Sequence, residues 1–363
     1  MHIAIDATPL LVRSAGVKNY LYHWITHLRR EAGRDSIRTF PRLGHLGPLD
    51  HNGSVAGRFR TASGLGALAL SNYTPLPVLD WWTGGADVFH ASVLVHHPPQ
   101  RVRLTATIHD MTAWTMPELH PAANRRAESS FASLARAADR LIAVSQCTKD
   151  DAVRVLRLSE DKITVIHSGI ADAFFDPPRE AIESVRARYK LSRSFVLFVG
   201  TIEPRKNVDL LIAAFNALPQ TIGAEHEMVV AGPMGWAAPE TRARLQSVRY
   251  LGYVAEEDLA PLTAAATVFV YPSLYEGFGF PVAQAMAAAV PVITSNVSSL
   301  PEIGGEGVLL VDPRSENELR DALARLLTTP DLRAAVARRG RARAEQFRWP
   351  ACAARSWEFF RSL

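Results

Sequence analysis

The sequence predicts an α/β protein of two doubly wound parallel-sheet domains facing each other across a cleft. Three observations predict it. The length, 363 residues, suits two domains at roughly 100–200 residues each. Short apolar runs alternate with amphipathic stretches almost from end to end, the pattern of a parallel sheet covered on both faces. That series breaks near 170–192, around Asp176-Pro177-Pro178, and then restarts, giving domains over 1–175 and 190–346.

In the first series His2–Asp6 reads as a strand. The helix that begins at Val17 places Val17, Tyr20, Leu21, Trp24, Ile25 and Leu28 on one stripe. Strands follow at Asp87–Ala91, Leu104–His109, Arg140–Ser145 and Ile163–Ser168, with helices at about 122–137 and 146–157. The stretch Pro41–Gly85 is rich in Gly and Pro and reads as a long irregular insertion. Its apolar part, Leu76–Trp82, is read equally as buried core and as a docking face. In the second series the strands are Phe195–Thr201, Glu227–Gly232, Val248–Val254, Thr267–Ser273 and Pro291–Asn296. Helices fit Asn207–Leu218 and about 256–266, 279–289, 315–328 and 331–346. Trp349, Trp357, Phe359 and Phe360 give the final stretch an apolar side.

Composition narrows the function. The chain is 48% hydrophobic and 21% charged, which suits sizeable cores. A net charge of +4 is too mild to indicate a nucleic-acid binder. The charge is uneven: residues 1–170 carry 19 basic and 14 acidic side chains, a net of +5 that suits an anionic surface or acceptor. The two cysteines, Cys147 and Cys352, form neither a disulfide framework nor a metal cluster and point to a reducing, cytoplasmic compartment. Met-His-Ile-Ala-Ile-Asp lacks a basic n-region and is not read as a signal peptide, and no apolar run reaches the ~18–20 residues of a membrane span. Asp-x-Asp, His-Glu-x-x-His, Gly-x-Ser-x-Gly and phosphate-loop motifs do not occur, so no metal site is expected.

In doubly wound sheets ligands bind outside the carboxyl ends of the strands. Four loops lie there. Gly200-Thr201-Ile202-Glu203-Pro204-Arg205-Lys206-Asn207 sets two cations beside a helix start, where a phosphate gains both their charge and the helix dipole; alone, the pair is equally a solvated one. Tyr275-Glu276-Gly277-Phe278-Gly279-Phe280-Pro281 runs into a helix, with glycines for close backbone approach, exposed N–H groups for an anion and a carboxylate for hydroxyls. With the Arg-Lys loop beside it, the functional reading of this segment is favoured over a plain helix cap. Ser14-Ala15-Gly16-Val17 carries a lone glycine, almost equally a plain turn. His109-Asp110 closes a strand and faces the cleft, whereas His90, His96, His97 and His120 are read as structural histidines.

Together these segments resemble the retaining nucleotide-sugar glycosyltransferases of family 4, with two Rossmann-like domains in the GT-B arrangement. The resemblance spans most of the chain and is strongest at Phe198–Asn207 and Tyr271–Pro281, with support from Leu251-Gly252-Tyr253-Val254, Ile142–Ser145 and Val165–Gly169. It implies that Arg205 and Lys206 clamp the donor diphosphate and that Glu276 binds hydroxyls of the transferred sugar. Gly277, Phe278 and Gly279 would meet sugar and phosphate, and Val254 with its neighbours would line the base. From the first domain, Gly16 would lie against the donor, His109 would contact the transferred sugar, and Asp110 would help to position the acceptor; the final stretch, 347–363, would be a helix that crosses back to that domain. The family usually carries a second glutamate eight positions after the first, bound to the ribose; here that position is Gln284.

The resemblance implies hexosyl transfer from a nucleotide sugar to a glycan or lipid-linked saccharide, without metal or cofactor. GDP-mannose is favoured over a UDP-hexose because Glu-Pro-Arg-Lys-Asn with His109-Asp110 looks like bacterial mannosyltransferases of surface polysaccharide assembly. Peripheral contact with an anionic membrane, at its inner face, is expected from the basic first half and Leu76–Trp82. Two competing readings remain: a sugar-nucleotide epimerase of the same fold, and a non-catalytic nucleotide-sugar binding subunit.

Overall fold

The computed structural model describes residues 1–14, 16–51 and 53–363, with 122–129 described by their backbone only. The chain divides into two compact units, one formed by Met1–Gly169 with Trp349–Leu363, the other by Ile170–Arg348.

In the first unit six parallel strands make one sheet among the described residues: β1 (His2–Asp6), β2 (Ser36–Phe40), β3 (Val88–Ala91), β4 (Arg103–Ile108), β5 (Arg140–Ala143) and β6 (Ile163–Val165), in the order β2-β1-β3-β4-β5-β6. Its helices are α1 (Gly16–Arg30), α2 (Arg58–Tyr73), α3 (Val78–Trp82), α4 (Thr112–Thr115), α5 (Ala122–Ala137) and α6 (Gln146–Leu156). The strands are near-continuous apolar runs because both sheet faces are covered: Ile3, Ile5, Phe89, Ala106 and Ile142 are all buried. The last helix, Trp349–Arg361, packs on α1. Trp24 Nε1 donates to Ser356 Oγ at 2.9 Å, and Trp357 Nε1 donates to the Leu28 carbonyl at 3.1 Å. Trp349 lies against Tyr20, and a Cβ on Gly169 would sit within 2.3–2.6 Å of Trp349, so this contact requires a glycine.

The second unit repeats the plan with β7 (Ser194–Val199), β8 (His226–Ala231), β9 (Arg249–Gly252), β10 (Val268–Tyr271), β11 (Val292–Ser295) and β12 (Leu309–Val311), ordered β12-β11-β10-β7-β8-β9. Around it lie α7 (Arg179–Arg188), α8 (Val208–Asn216), α9 (Gln220–Glu225), α10 (Pro239–Arg244), α11 (Glu256–Ala264), α12 (Phe280–Ala287), α13 (Leu300–Gly304), α14 (Glu316–Thr328) and α15 (Pro330–Ala344).

Several expectations are corrected. Pro41–Gly85 is not irregular: it carries α2 and α3. The helix α2 turns Gly64, Leu68, Ser71 and Asn72 inward. A Cβ on Gly64 would meet Pro41 at 2.5 Å and Leu11 at 3.0 Å, so this face packs by smallness and shows no apolar stripe. Leu76–Trp82 is split. Leu79 is buried and Trp82 packs edge-on to Phe40, while Leu76 and Trp81 face outward. Within the break near 170–192, α7 starts directly after Pro178. Two strands had no counterpart in the sequence reading. Both β2 and β12 are edge strands, paired on one side only, and neither needs a continuous apolar run.

Candidate active site

β7 and β10 are parallel neighbours, so the loops leaving their carboxyl ends start side by side. The first passes through a single 3-10 turn, Pro204–Lys206, and enters α8 after Asn207. The second runs from Pro272 to Gly279 and enters α12. They are tied by backbone as well as side chain: the Leu274 N–H donates to the Arg205 carbonyl at 2.9 Å, and Arg205 Nη1 donates to the Tyr275 carbonyl at 2.7 Å.

Between them two cations and a carboxylate converge. Lys206 Nζ lies 2.6 Å and Arg205 Nη1 3.1 Å from Glu276 Oε1, and Ser273 Oγ donates to the same oxygen at 2.7 Å. Arg205 is also paired with Glu203 Oε1 at 2.8 Å. Two positive and two negative side chains therefore balance within the cluster, which lets it be buried. Burial alone would raise the Glu276 carboxyl, but Arg205 and Lys206 override it and hold the group at about 2. Burial and the neighbouring Arg205 lower Lys206, against the pull of Glu276 and Glu203. The Lys206 ammonium also sits over the Tyr271 ring, 5.2 Å from its centroid.

The loop after β11 supports the carboxylate's backbone. The Glu276 N–H donates to Ser298 Oγ at 3.0 Å, and Ser299 Oγ donates to the Glu276 carbonyl at 2.9 Å. Three residues on, Gly279 caps α12 at φ 90°, where a Cβ would press on Leu300 at 2.7 Å. Both constraints favour glycine there. Phe278 is buried against Phe280 and Phe347, so its side chain is committed to packing. Gln284 is half-buried in the second turn of α12. Val254 follows β9 with its side chain buried, while the adjacent Tyr253 is exposed. Glu203, Ser273, Ser298 and Ser299 escaped the sequence reading. The two later serines lie 22 and 23 residues beyond Glu276, with no motif to link them.

In the first unit the sequence-selected residues again sit at carboxyl ends of strands. Gly16 is the first residue of α1, and a Cβ there would meet nothing within 4 Å, so packing does not explain the glycine. Its neighbour Ala15 lies outside the described residues. His109 follows β4, half-buried and edge-on to Tyr20 with ring centroids 4.9 Å apart. Burial lowers its imidazole to about 4, although Asp110 pulls the other way, so the ring is neutral at pH 7. Asp110 also shapes its own loop. Its Oδ1 accepts from the Thr112 N–H at 3.0 Å and from Thr112 Oγ1 at 2.5 Å, turning the chain into α4. Beneath them His90 is buried with both ring nitrogens bonded to threonines, Nδ1 to Thr105 at 2.9 Å and Nε2 to Thr107 at 3.0 Å. It is the structural histidine that the sequence suggested. Asp6 accepts from the Thr8 N–H and hydroxyl and from Ser92 Oγ.

Two doubly wound parallel-sheet units are the fold of the GT-B class. Residues 15–174 match the family described as Glycosyltransferase Family 4, and residues 182–343 match Glycosyl transferases group 1. The chain is 34% identical over 276 residues to O-antigen chain mannosyltransferase B of Escherichia coli, covering 73% of this chain and 72% of that one. It is 26% identical over 307 residues to the serotype-specific mannosyltransferase WbdA of Escherichia coli, covering 81% of this chain but only 37% of that protein. Among solved structures, HepE of Anabaena in complex with UDP-glucose superposes over the full length of both chains, with a TM-score of 0.75 and 18% identity. This chain belongs to glycosyltransferase family 4. It is an enzyme of hexosyl transfer.

Proposed function

We propose that this chain transfers mannose from GDP-mannose, with retention of configuration and without a metal, to a glycan or lipid-linked saccharide of a surface polysaccharide. The observation that carries the reading is the convergence of Lys206 and Arg205 on Glu276 beside the α12 N-terminus. Breaking the bond from the anomeric carbon to the diphosphate leaves positive charge on the sugar and sends the electron pair to a phosphate oxygen. Lys206, Arg205 and the positive end of α12 stabilise that oxygen, the kind of preorganised electrostatics that is often the largest catalytic term.

The donor diphosphate replaces Glu276 as the partner of the two cations. The freed carboxylate, still bonded to Ser273 Oγ, accepts from hydroxyls of the sugar. From the first unit, His109 offers a neutral ring to a sugar hydroxyl, and Gly16 lets the donor approach the first turn of α1. Asp110 helps to position the acceptor, whose hydroxyl attacks the face from which the diphosphate leaves and gives its proton to the departing oxygen. Gly277, Phe278 and Gly279 bind through backbone, the chain around Val254 flanks the base, and Gln284 takes the ribose.

Mannose is supported by the relatives' names, both mannosyltransferases. The acceptor side is supported by the outward face of α2 and α3. Phe59, Tyr73 and Trp81 are 93%, 79% and 69% exposed there, with Arg58 and Arg60 on the same helix. Aromatic and basic side chains suit a peripheral approach to an anionic membrane at its cytoplasmic face, where a lipid-linked acceptor is held. No helix among the described residues is long and apolar enough to cross a membrane.

A thermal-shift panel followed by a transfer assay tests the reading. Binding to the folded state raises its stability by mass action. GDP should raise the midpoint more than UDP, and GDP-mannose should label a saccharide acceptor in the presence of a chelator. A shift with UDP alone overturns the base assignment. Epimer formed from donor alone indicates the epimerase, and donor binding without turnover on any saccharide indicates the binding subunit.

A further inference from the structure

Asn207 directly follows Lys206, and its backbone lies in the left-handed region at φ 56°, ψ 37°. Its N–H donates to the Pro204 carbonyl at 3.1 Å, closing the 3-10 turn that presents Arg205 and Lys206. Its side-chain amide then donates twice, to the Pro272 carbonyl at 3.1 Å and to the Pro313 carbonyl at 2.8 Å. Pro272 opens the loop that carries Glu276, directly after β10, and Pro313 lies two residues beyond β12. One side chain therefore fastens the loop of the cations to the loop of the carboxylate and to a third loop that follows the edge strand.

Few side chains meet both demands. Glycine adopts the left-handed conformation freely but has no donor. Aspartate tolerates it but offers only acceptors when ionised, facing two carbonyls. Asparagine tolerates it and supplies two N–H groups.

We infer that Asn207 is the positioning residue of the diphosphate clamp, holding Lys206 and Arg205 in register with the Glu276 loop while the carboxylate changes partners. The inference rests on the donor-binding reading of this cluster. During that exchange the direct Lys206–Glu276 contact of 2.6 Å is given up, so it cannot keep the two loops in register. The amide bonds of Asn207 end on carbonyls that no ligand displaces. Asn207 touches neither sugar nor phosphate and acts through Lys206.

The test compares Asn207→Gly and Asn207→Asp with the wild type, using GDP-mannose, a saccharide acceptor and thermal unfolding. Asn207→Gly keeps the backbone conformation and loses both bonds. Its kcat should fall about 10–100-fold, the cost of an ångström-scale misplacement of catalytic groups, with KM for donor within about threefold and the unfolding midpoint close to wild type. Asn207→Asp should be less active than Asn207→Gly at pH 7.5. Two carbonyl acceptors facing the carboxylate, those of Pro272 and Pro313, disfavour its charged form and raise it, so relative to wild type at each pH the variant should recover part of its kcat as pH falls to 5 and a proton restores one donor. A general packing defect would not produce that recovery.

Wild-type kcat in Asn207→Gly overturns the inference. So does a loss in both variants that follows their unfolding midpoints and shows no pH-dependent recovery in Asn207→Asp. A wild type that transfers no sugar from any nucleotide donor instead overturns the donor-binding reading itself.

Discussion

The two units place polar clusters at equivalent ends of their sheets and treat charge in opposite ways. In the second unit, Glu203, Arg205, Lys206 and Glu276 are all charged, and Glu276 is held at about 2. In the first, burial pushes the other way: His109 is lowered to about 4, His90 to about 3, and the Asp6 carboxyl is raised. One cluster keeps its groups charged because cations and carboxylates are paired; in the other, burial keeps the histidines from ionising. The first kind can exchange a carboxylate for a phosphate, since its cations persist when Glu276 leaves. The second can meet hydroxyls without attracting a stray anion. The same α/β frame thus carries paired charges on one unit and uncharged imidazoles on the other.

The largest break in this contrast is Lys206→Ala. It removes a buried donor aimed at developing negative charge, and kcat should fall about 10²–10³-fold, roughly 2.7–4 kcal/mol of transition-state stabilisation. Arg205 and Ser273 still hold Glu276 Oε1, so folding should change far less than turnover. Steady-state kinetics beside a urea titration check this, and unchanged turnover would remove Lys206 from the clamp.

Glu276→Gln comes next and sharpens the exchange of partners. Use of the donor sugar should drop about 10²-fold. Binding of GDP alone should strengthen, because the carboxylate that competes for Lys206 and Arg205 is gone. Calorimetry with GDP and an assay with GDP-mannose must therefore move in opposite directions. Full activity in this variant would take Glu276 out of the site.

Both halves of that contrast were partly legible in the sequence. Arg205-Lys206 and Glu276-Gly277-Phe278-Gly279 stand out because Gly and Pro mark strand ends, and because the two segments together favour a functional reading that the cation pair alone does not. What surrounds them was not legible. Ser298 and Ser299 reach Glu276 from the next strand's loop, and Asn207 acts through two distant proline carbonyls. His90 pairs with Thr105 and Thr107 through the alignment of β3 with β4, which a single sequence does not reveal. A different limit hid α2, whose buried residues, Gly64, Leu68, Ser71 and Asn72, include one large apolar side chain.

Acid separates the two clusters by a smaller effect. His90 and His109 ionise near 6.5 when free but near 3 and 4 in the fold. Below pH 6.5 the unfolded chain binds protons that the folded unit refuses, so stability falls as pH drops through that window. For a buried imidazole such as His90 the loss is about 1.4 kcal/mol per pH unit. Asp6, with its raised carboxyl, offsets part of this at the acid end. Glu276 moves the same way only below 4.5, since its lowered carboxyl is lost to protonation between 4.5 and about 2. Urea midpoints between pH 7 and 5 should therefore decline through the first unit, and His90→Gln should flatten the decline. An equal slope in that variant would place the acid sensitivity elsewhere.

The smallest effect concerns Gln284. A glutamine amide can accept one bond from a ribose hydroxyl, and a carboxylate would accept it more strongly because the bond becomes charge-assisted. Gln284→Glu adds that charge in the second turn of α12, where the helix dipole favours it. The donor diphosphate proposed to lie at the same helix end opposes it. The two electrostatic effects nearly cancel, which leaves the gain in the hydrogen bond itself: about threefold tighter GDP, roughly 0.7 kcal/mol. That gain should vanish with a dideoxy GDP, which keeps the diphosphate and lacks both ribose hydroxyls. If the dideoxy nucleotide gains equally, the added charge acts on the helix and not on the ribose, and the assignment of position 284 to the sugar of the nucleotide fails.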